Sequence, residues 1–323
     1  MVFEPESLVS LASYLGAGLA MGLGAIGAAV GEGYTAGAAS GACASRPELS
    51  GNIIKNMLIG QAVAESAAIF ALVVAMLLLF MEFEGGTTTA VSLLAGGMCM
   101  GFGAIGSGVG SGYPAAEACT GMARQPEATN SLTNTMILGA AICQSPGIFS
   151  LVIGLIMMFL DFGDRAVNPN AMALLGAGFS TGLAAIGSGM GQGLTAGGAV
   201  KTIARQPLCS GRATATMLVG QAVAETPAIF GLLISVLLIF RVYPASSSII
   251  TATALVAAGL CQGLGGIGPG IGNGLTARSA LDWFGRREEA GAVLTRTMLI
   301  GQAVAQSTAI YAMVIALVLI FVV

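Results

Sequence analysis

Long apolar runs alternate with short polar breaks along the whole chain. The breaks read SRPELSGN, MARQPEATN, IARQPLCSG and FGRREEAG, and each sets charge with proline or glycine between two runs. The pattern predicts helices over 8–43, 52–81, 88–122, 131–160, 170–203, 212–241, 249–283 and 292–322. Each is longer than the roughly 20 residues that cross a bilayer core. At about 1.5 Å per residue, a helix of about 30 residues outruns a ~30 Å hydrocarbon layer, so the helices are expected to project past it on one side.

The runs are copies of one another. GEGYTAGAAS at 31–40, GSGYPAAEAC at 110–119, GQGLTAGGAV at 191–200 and GNGLTARSAL at 272–281 align. Each is followed by a second matching segment: GQAVAESAAIF from Gly60, GAAICQSPGIF from Gly139, GQAVAETPAIF from Gly220 and GQAVAQSTAIY from Gly301. Taking Glu32, Ser111, Gln192 and Asn273 as anchors, Glu65, Gln144, Glu225 and Gln306 all follow 33 residues later. We call these last four the carrier positions. The chain is therefore expected to be an all-α membrane protein of eight helices in four tandem parallel hairpins, spanning 1–84, 85–164, 165–245 and 246–323. Every first helix carries glycine at −14, −10, −5, −1 and +1 from its anchor, as Gly18, Gly22, Gly27, Gly31 and Gly33 show in hairpin 1. Small residues let membrane helices approach closely, which predicts a packed inner layer of first helices. The bulkier second helices, with stretches such as LVVAMLLLF, would form an outer layer.

Composition agrees with a membrane protein: 55% of residues are hydrophobic and 8% charged, against about 25% charged in ordinary soluble domains. The chain has no histidine, and its six cysteines form no CxxC pair, so zinc is not expected and the thiols read as small packing groups. The start, MVFEPES, lacks a basic n-region, so the first apolar segment is expected to be retained. A net charge of −3 points to no nucleic-acid partner. Ten of the twelve basic residues lie in or beside the loops inside the hairpins: Arg46, Lys55, Arg124, Lys201, Arg205, Arg212, Arg278, Arg286, Arg287 and Arg296. Arg165 and Arg241 lie instead at the connections between hairpins, beside Glu82, Glu84, Asp161 and Asp164. The positive-inside rule then places the hairpin loops in the cytoplasm and both termini outside, with all four hairpins pointing the same way.

Three carboxylates fall at bilayer depth, Glu32, Glu65 and Glu225, where a charge costs about 2.5–3.5 kcal/mol or more and is commonly functional. Glu117 lies nearer the loop and is assigned an interfacial role. A hydroxyl follows each carrier glutamate, Ser66 and Thr226, and the anchors add Glu32 and Gln192. A proton site needs only the acid and a hydrogen-bond partner, whereas a hard cation wants several oxygens, so the surplus of oxygen tilts the expectation to Na⁺ over H⁺. Backbone oxygen is available as well. Pro227 cannot donate to the Val223 carbonyl, nor Pro146 to that of Ile142.

At these residues the chain resembles the c-type rotor proteolipid of Na⁺-coupled F-type ATP synthases, in GQAVAES, the RQP loops and the glycine-rich first helix, four times over. The resemblance implies a two-layer ring of copies, bathed in lipid, that turns against an a-type stator component bearing an arginine. It also implies central-stalk proteins meeting the loops at Arg46, Arg124, Gln125, Pro126, Arg205, Gln206 and Pro207. Na⁺ would sit between adjacent hairpins, one giving anchor and glutamate, the other a hydroxyl and a carbonyl. Carried over, the pairs are Glu32/Glu65 and Gln192/Glu225. The carbonyl and hydroxyl sets on offer are Val63/Ser66, Ile142/Ser145, Val223/Thr226 and Val304/Ser307, and which set serves which glutamate stays open. The family's tyrosine beside the carboxylate matches Tyr311 alone, its equivalents being Phe70, Phe149 and Phe230.

The chain departs from that pattern at Gln144 and Gln306, which replace the acid. Two acids for eight helices is half the F-type density and resembles the V-type pattern of one acid per two hairpins. The V-type proline just before the glutamate is absent. Fewer ions per turn favours ATP-driven pumping. The expected location is a bacterial or archaeal plasma membrane. The alternatives are an H⁺-coupled ring and, in a different class, an autonomous eight-helix channel or transporter.

Overall fold

A computed structural model of the chain describes residues 5–162, 165–245 and 248–322. Asp164, assigned above to an inter-hairpin connection, lies outside the described residues, as do the first four residues of the N-terminal stretch. The described residues form α1 (Pro5–Ser45), α2 (Ser50–Phe80), α3 (Thr87–Arg124), α4 (Thr129–Ile142), α5 (Ser145–Phe159), α6 (Val167–Arg205), α7 (Ser210–Phe240), α8 (Ile249–Phe284) and α9 (Gly291–Phe321). Because α4 and α5 make up one span, these helices give eight segments long and apolar enough to cross a membrane.

That broken span corrects the expectation of one continuous helix over 131–160. The chain turns at Cys143 and Gln144, where the Gln144 amide bonds the Ala141 carbonyl three residues back. Pro146 sits at the same place as Pro227, yet α7 runs through its proline unbroken. The two segments differ at the break, Cys143 and Gln144 against Ala224 and Glu225, and just past the proline, where Gly147 stands for Ala228 and glycine is worth about 1 kcal/mol less than alanine in a helix. Both prolines come with the same support from the inner layer. The Gly147 amide donates to Ser107 Oγ at 3.0 Å and the Ala228 amide to Ser188 Oγ at 3.1 Å.

The first helices α1, α3, α6 and α8 stand side by side in that order and form an arc. They are parallel, because close approaches advance together along neighbouring helices. A β-carbon added at Gly97 would overlap Gly16, one at Gly108 would overlap Gly27, and one at Gly112 would overlap Gly31. The same ladder recurs between α3 and α6 at Gly189 and Gly193, and between α6 and α8 at Gly270 and Gly274. Only glycine permits backbones this close, and close packing must hold membrane helices together where lipid is as apolar as they are. All four hairpin loops consequently lie at one end. Each begins with a short 3₁₀ turn, at Pro47–Leu49, Pro126–Ala128, Pro207–Cys209 and Glu288–Ala290.

The second helices form the outer layer, each in the groove between its own inner helix and the next. Gly60 of α2 abuts Ala115 of α3, Gly139 of α4 abuts Ala196 of α6, and Gly220 of α7 abuts both Thr195 of α6 and Ala277 of α8. Among the described residues no further inner helix stands beyond α8 to cover α9. Its most apolar stretch is 17% buried, against 78% for the central α6.

Candidate functional site

The 33-residue spacing brings anchor and carrier together within a hairpin. Gln144 Nε2 donates to Ser111 Oγ at 2.6 Å, and Asn273 Nδ2 donates to Gln306 Oε1 at 2.9 Å. In hairpin 1 the two members are Glu32 and Glu65.

The neighbour left open by the sequence is fixed by three contacts between hairpins. Gln144 of hairpin 2 donates to the Val63 carbonyl of hairpin 1 at 3.1 Å. Gln192 of hairpin 3 donates to Ser145 Oγ of hairpin 2 at 3.4 Å. Asn273 of hairpin 4 donates to the Val223 carbonyl of hairpin 3 at 3.3 Å. At every junction inside the chain, the anchor or the carrier of one hairpin therefore reaches the carbonyl or the hydroxyl of the hairpin before it. Ser145, which donates to Ile142, stands beside Gln192. Ser66 and Thr226 donate to Val63 and Val223, the carbonyls that hairpins 2 and 4 reach. Val304 and Ser307 meet no following hairpin in the chain.

Carbonyl and hydroxyl form one unit. Ser66 donates to Val63 at 2.6 Å, Ser145 to Ile142 at 2.8 Å, Thr226 to Val223 at 2.6 Å and Ser307 to Val304 at 2.7 Å. The carbonyls that proline releases are thus not bare, and the arrangement recurs in hairpins 1 and 4, where no proline stands two residues past the carrier. A hydroxyl whose hydrogen points at a carbonyl keeps its lone pairs turned outward, and the Ile142 and Val223 carbonyls, spared a helical amide by proline, keep one as well. In hairpins 2 and 3 each unit therefore offers two oxygens to a cation.

The Gln192/Glu225 site lies wholly inside the chain. Gln192 is fully buried, and its Oε1 has no hydrogen-bond partner among the described residues. A buried acceptor without a donor costs about 1–3 kcal/mol, and a cation held with Glu225, Ile142 and Ser145 would satisfy it. Glu225 is half-buried and Glu65 exposed. Val304 is 68% exposed and Tyr311 65%, both on the uncovered side of α9. Tyr311 reaches no carboxylate within the described residues.

A glutamine that sequence reasoning passed over holds the anchors in place. Gln61, Gln221 and Gln302 donate to the backbone carbonyls of Glu32, Gln192 and Asn273 at 3.2, 3.2 and 3.1 Å. Gln221 and Gln302 also reach back to the Gly139 and Gly220 carbonyls of the preceding hairpin. Their signal was the fixed interval of 29 residues after the anchor in three copies. Hairpin 2 has Ala140 there, and Ser111 Oγ approaches its carbonyl at 3.3 Å instead.

The loop residues gather at the far end from the connections. Arg46 is exposed and pairs with Glu48 at 3.3 Å. Arg124 ends α3 and is exposed. The Gln125 and Gln206 amides close their helices on Gly121 and Thr202, and Pro126 and Pro207 open the 3₁₀ turns. Arg205 pairs with Asp282 of the next hairpin at 3.3 Å.

The family model for the C subunit of ATP synthase matches the chain four times, over residues 15–78, 94–157, 175–238 and 256–319, each match falling on one helical hairpin. The K subunit of the A-type ATP synthase of Methanocaldococcus jannaschii is 32% identical over 228 residues, which is 71% of this chain and 96% of that protein. Shorter relatives match about one hairpin. The ATP synthase c subunit of Petrotoga mobilis is 51% identical over 68 residues, 21% of this chain and 71% of its own length. That of Natranaerobius thermophilus is 48% identical over 79 residues, 24% of this chain and 91% of its own length. Four tandem matches on four parallel hairpins carry one conclusion: the chain belongs to the C-subunit family of ATP synthases.

Proposed function

We propose that the chain builds the rotor ring of a rotary ATPase or ATP synthase and carries Na⁺ across the membrane on Glu65 and Glu225. The observation that carries the sodium reading is the Gln192 amide of the Glu225 hairpin, buried with its oxygen unpartnered among the described residues and its nitrogen on the Ser145 hydroxyl, which itself donates to the Ile142 carbonyl. A proton would need only the acid. Gln192, Glu225, Ser145 and Ile142 together offer four oxygen groups, a set that suits a hard monovalent cation whose water must be replaced.

The same register extends across copies. Glu32 and Glu65 open hairpin 1, and the hairpin before it is hairpin 4 of a second copy, which presents Val304, Ser307 and Tyr311 on the uncovered side of α9. One site of each chain is therefore self-contained and the other is shared between copies in the ring.

Facing lipid, each glutamate has to be neutralised by its ion, because bare charge is costly there. At the stator it releases the ion, passes an arginine while ionised and reloads from the other side. The hairpin loops face the cytoplasm, where Arg46, Arg124, Gln125, Pro126, Arg205, Gln206 and Pro207 meet the central stalk, and both termini lie outside. Hairpins 1–84 and 165–245 carry ions, whereas 85–164 and 246–323 do not. Half the usual number of carriers lowers the ions moved per ATP and favours pumping.

Carbodiimide modification of the purified ring tests the reading. Glu65 and Glu225 should react, and Na⁺ should protect both. Modification that responds to pH but never to Na⁺ would assign the ring to protons. Ion conduction by the isolated chain would assign it to the channel class instead.

A further inference from the structure

The carrier positions without an acid are tied more tightly than those that keep it. Gln144 Nε2 uses both of its hydrogens, one to the Val63 carbonyl at 3.1 Å and one to Ser111 Oγ at 2.6 Å. A carbonyl only accepts, so the atom of Gln144 that faces Val63 has to be the nitrogen. Asn273 Nδ2 does the same in hairpin 4, donating to the Val223 carbonyl at 3.3 Å and to Gln306 Oε1 at 2.9 Å. In both places an NH₂ group bridges the oxygen of the preceding hairpin and an oxygen of its own.

We propose that these amide nitrogens are built-in occupants standing where the cation stands in the other two sites, and that hairpin 2 is a latent monovalent-cation site one substitution from working. The proposal rests on the sodium reading of Glu225. An NH₂ group carries partial positive charge and directs it at two acceptors, which is what a small cation does between the same oxygens. The site is then neutral at every angle of the ring and takes nothing from either side of the membrane. It crosses lipid without an ion and presents no carboxylate to an arginine.

Hairpin 2 keeps the ligands that such a cation would need. Around Gln144 are the Val63 carbonyl, the Ser66 hydroxyl that donates to it, and Ser111 Oγ. Gln144 is only 7% exposed, and its Oε1 has no hydrogen-bond partner among the described residues. Gln144→Glu removes the bridging donor and leaves a carboxylate among three oxygen groups. One monovalent cation would replace both the lost bridge and the lost neutrality. Hairpin 4 is less complete on this count, since Gln306 Nε2 and Asn273 Oδ1 are both buried without partners among the described residues.

The test is residue-resolved carbodiimide labelling of rings assembled from the Q144E chain, with and without NaCl, reading Glu225 in the same sample. The expected result is a newly reactive residue 144 that Na⁺ protects over a concentration range within about tenfold of that for Glu225. Three carriers per chain should replace two, so ions moved per ATP should rise by half. Protection at Glu225 with none at residue 144 overturns the latent site alone. Loss of protection at both removes the sodium reading and this proposal with it. Q306E gives a second readout between Asn273, Val223 and Thr226 if Q144E does not assemble. Failure of both to assemble also overturns the proposal, since a site built for a cation tolerates the acid.

Discussion

Glu117 on α3 and Arg278 on α8 form an ion pair at 3.3 Å across the face of α6, the helix that stands between them. The pair crosses at Gly197 and Gly198. A β-carbon at Gly198 would lie 3.0 Å from Arg278 Cα, and one at Gly197 would lie 3.5 Å from Glu117 Cγ. Lys201 and Arg205 of α6 add pairs to Asp282 of α8, at 3.4 and 3.3 Å. The strap joins hairpins 2 and 4 over hairpin 3 and limits how far the arc can flatten. Arg278→Ala should cost about 1 kcal/mol, the scale of a partly exposed pair, and Gly198→Val should cost more by forcing Arg278 off the helix face. Thermal unfolding of the detergent-solubilised chain measures both.

The two ends of the arc are made for one another. At each internal junction the glycine before the anchor faces the glycine after the next anchor: Gly31 against Gly112, Gly110 against Gly193, Gly191 against Gly274. At the ends, nothing lies within 4 Å of where a β-carbon at Gly33 would sit, and Gly272 meets only Ala305 of its own hairpin, at 3.6 Å. In a ring, Gly272 of one copy would face Gly33 of another. Gly33→Val should leave the chain helical and folded yet prevent ring closure, whereas Gly110→Val should disrupt the chain itself. The mass of the solubilised assembly separates the two outcomes.

Arg165 and Arg241, the basic residues on the acidic side of the membrane, have local work to do. Arg165 donates to the Ile239 carbonyl near the end of α7 at 2.6 Å, and Arg241 to the Ile320 carbonyl near the end of α9 at 3.1 Å. Each connection thereby caps the outer helix of the hairpin that follows. Arg241 also lies over the Tyr243 and Phe321 rings, at 5.2 and 4.7 Å from their centroids. A cation at a helix C-terminus is worth about 0.3–1 kcal/mol, and stacking adds a similar amount. Arg241→Ala should loosen the last turn of α9, seen as faster amide exchange at Ile320 and Phe321. Arg241→Lys should recover only part, because an ammonium lacks the planar face.

Fold and site were unequally legible in the sequence. The hairpins followed from the polar breaks and the aligned copies, and the inner layer from repeated glycine spacing, because only glycine lets backbones meet where Gly31 meets Gly112. The pairing of anchor with carrier followed from a constant interval, which Gln144 and Ser111 bear out directly. The break at Cys143–Gln144 sets apart one of two proline-bearing spans, a local difference that the apolar pattern hides. Which hairpin Gln192 meets depended on which way the arc runs, and that is a property of packing. Ser66 follows Glu65 directly in sequence, yet a step of one residue turns a helical side chain by about 100°. The hydroxyl therefore borders the next hairpin.

The two glutamates should accordingly answer to different substitutions. Ser145 stands beside Gln192 within the chain, so Ser145→Ala removes a ligand from the Glu225 site and leaves Glu65 as it was. Ser307 and Tyr311 lie on the uncovered side of α9, so Ser307→Ala and Tyr311→Phe should act on Glu65 of the neighbouring copy and spare Glu225. One hydroxyl contact to a charged site is worth about 1.5–3 kcal/mol, which is roughly a tenfold or greater rise in the Na⁺ concentration that half-protects the affected glutamate from carbodiimide. Labelling resolved by residue reads both sites in one ring, and the spared glutamate shows that the variant still assembles. If Ser307→Ala weakened Glu225 instead, the direction of the register around the ring would be reversed. If it weakened neither, hairpin 4 would contribute no hydroxyl to an ion site, and Glu32 with Glu65 would hold the cation without it.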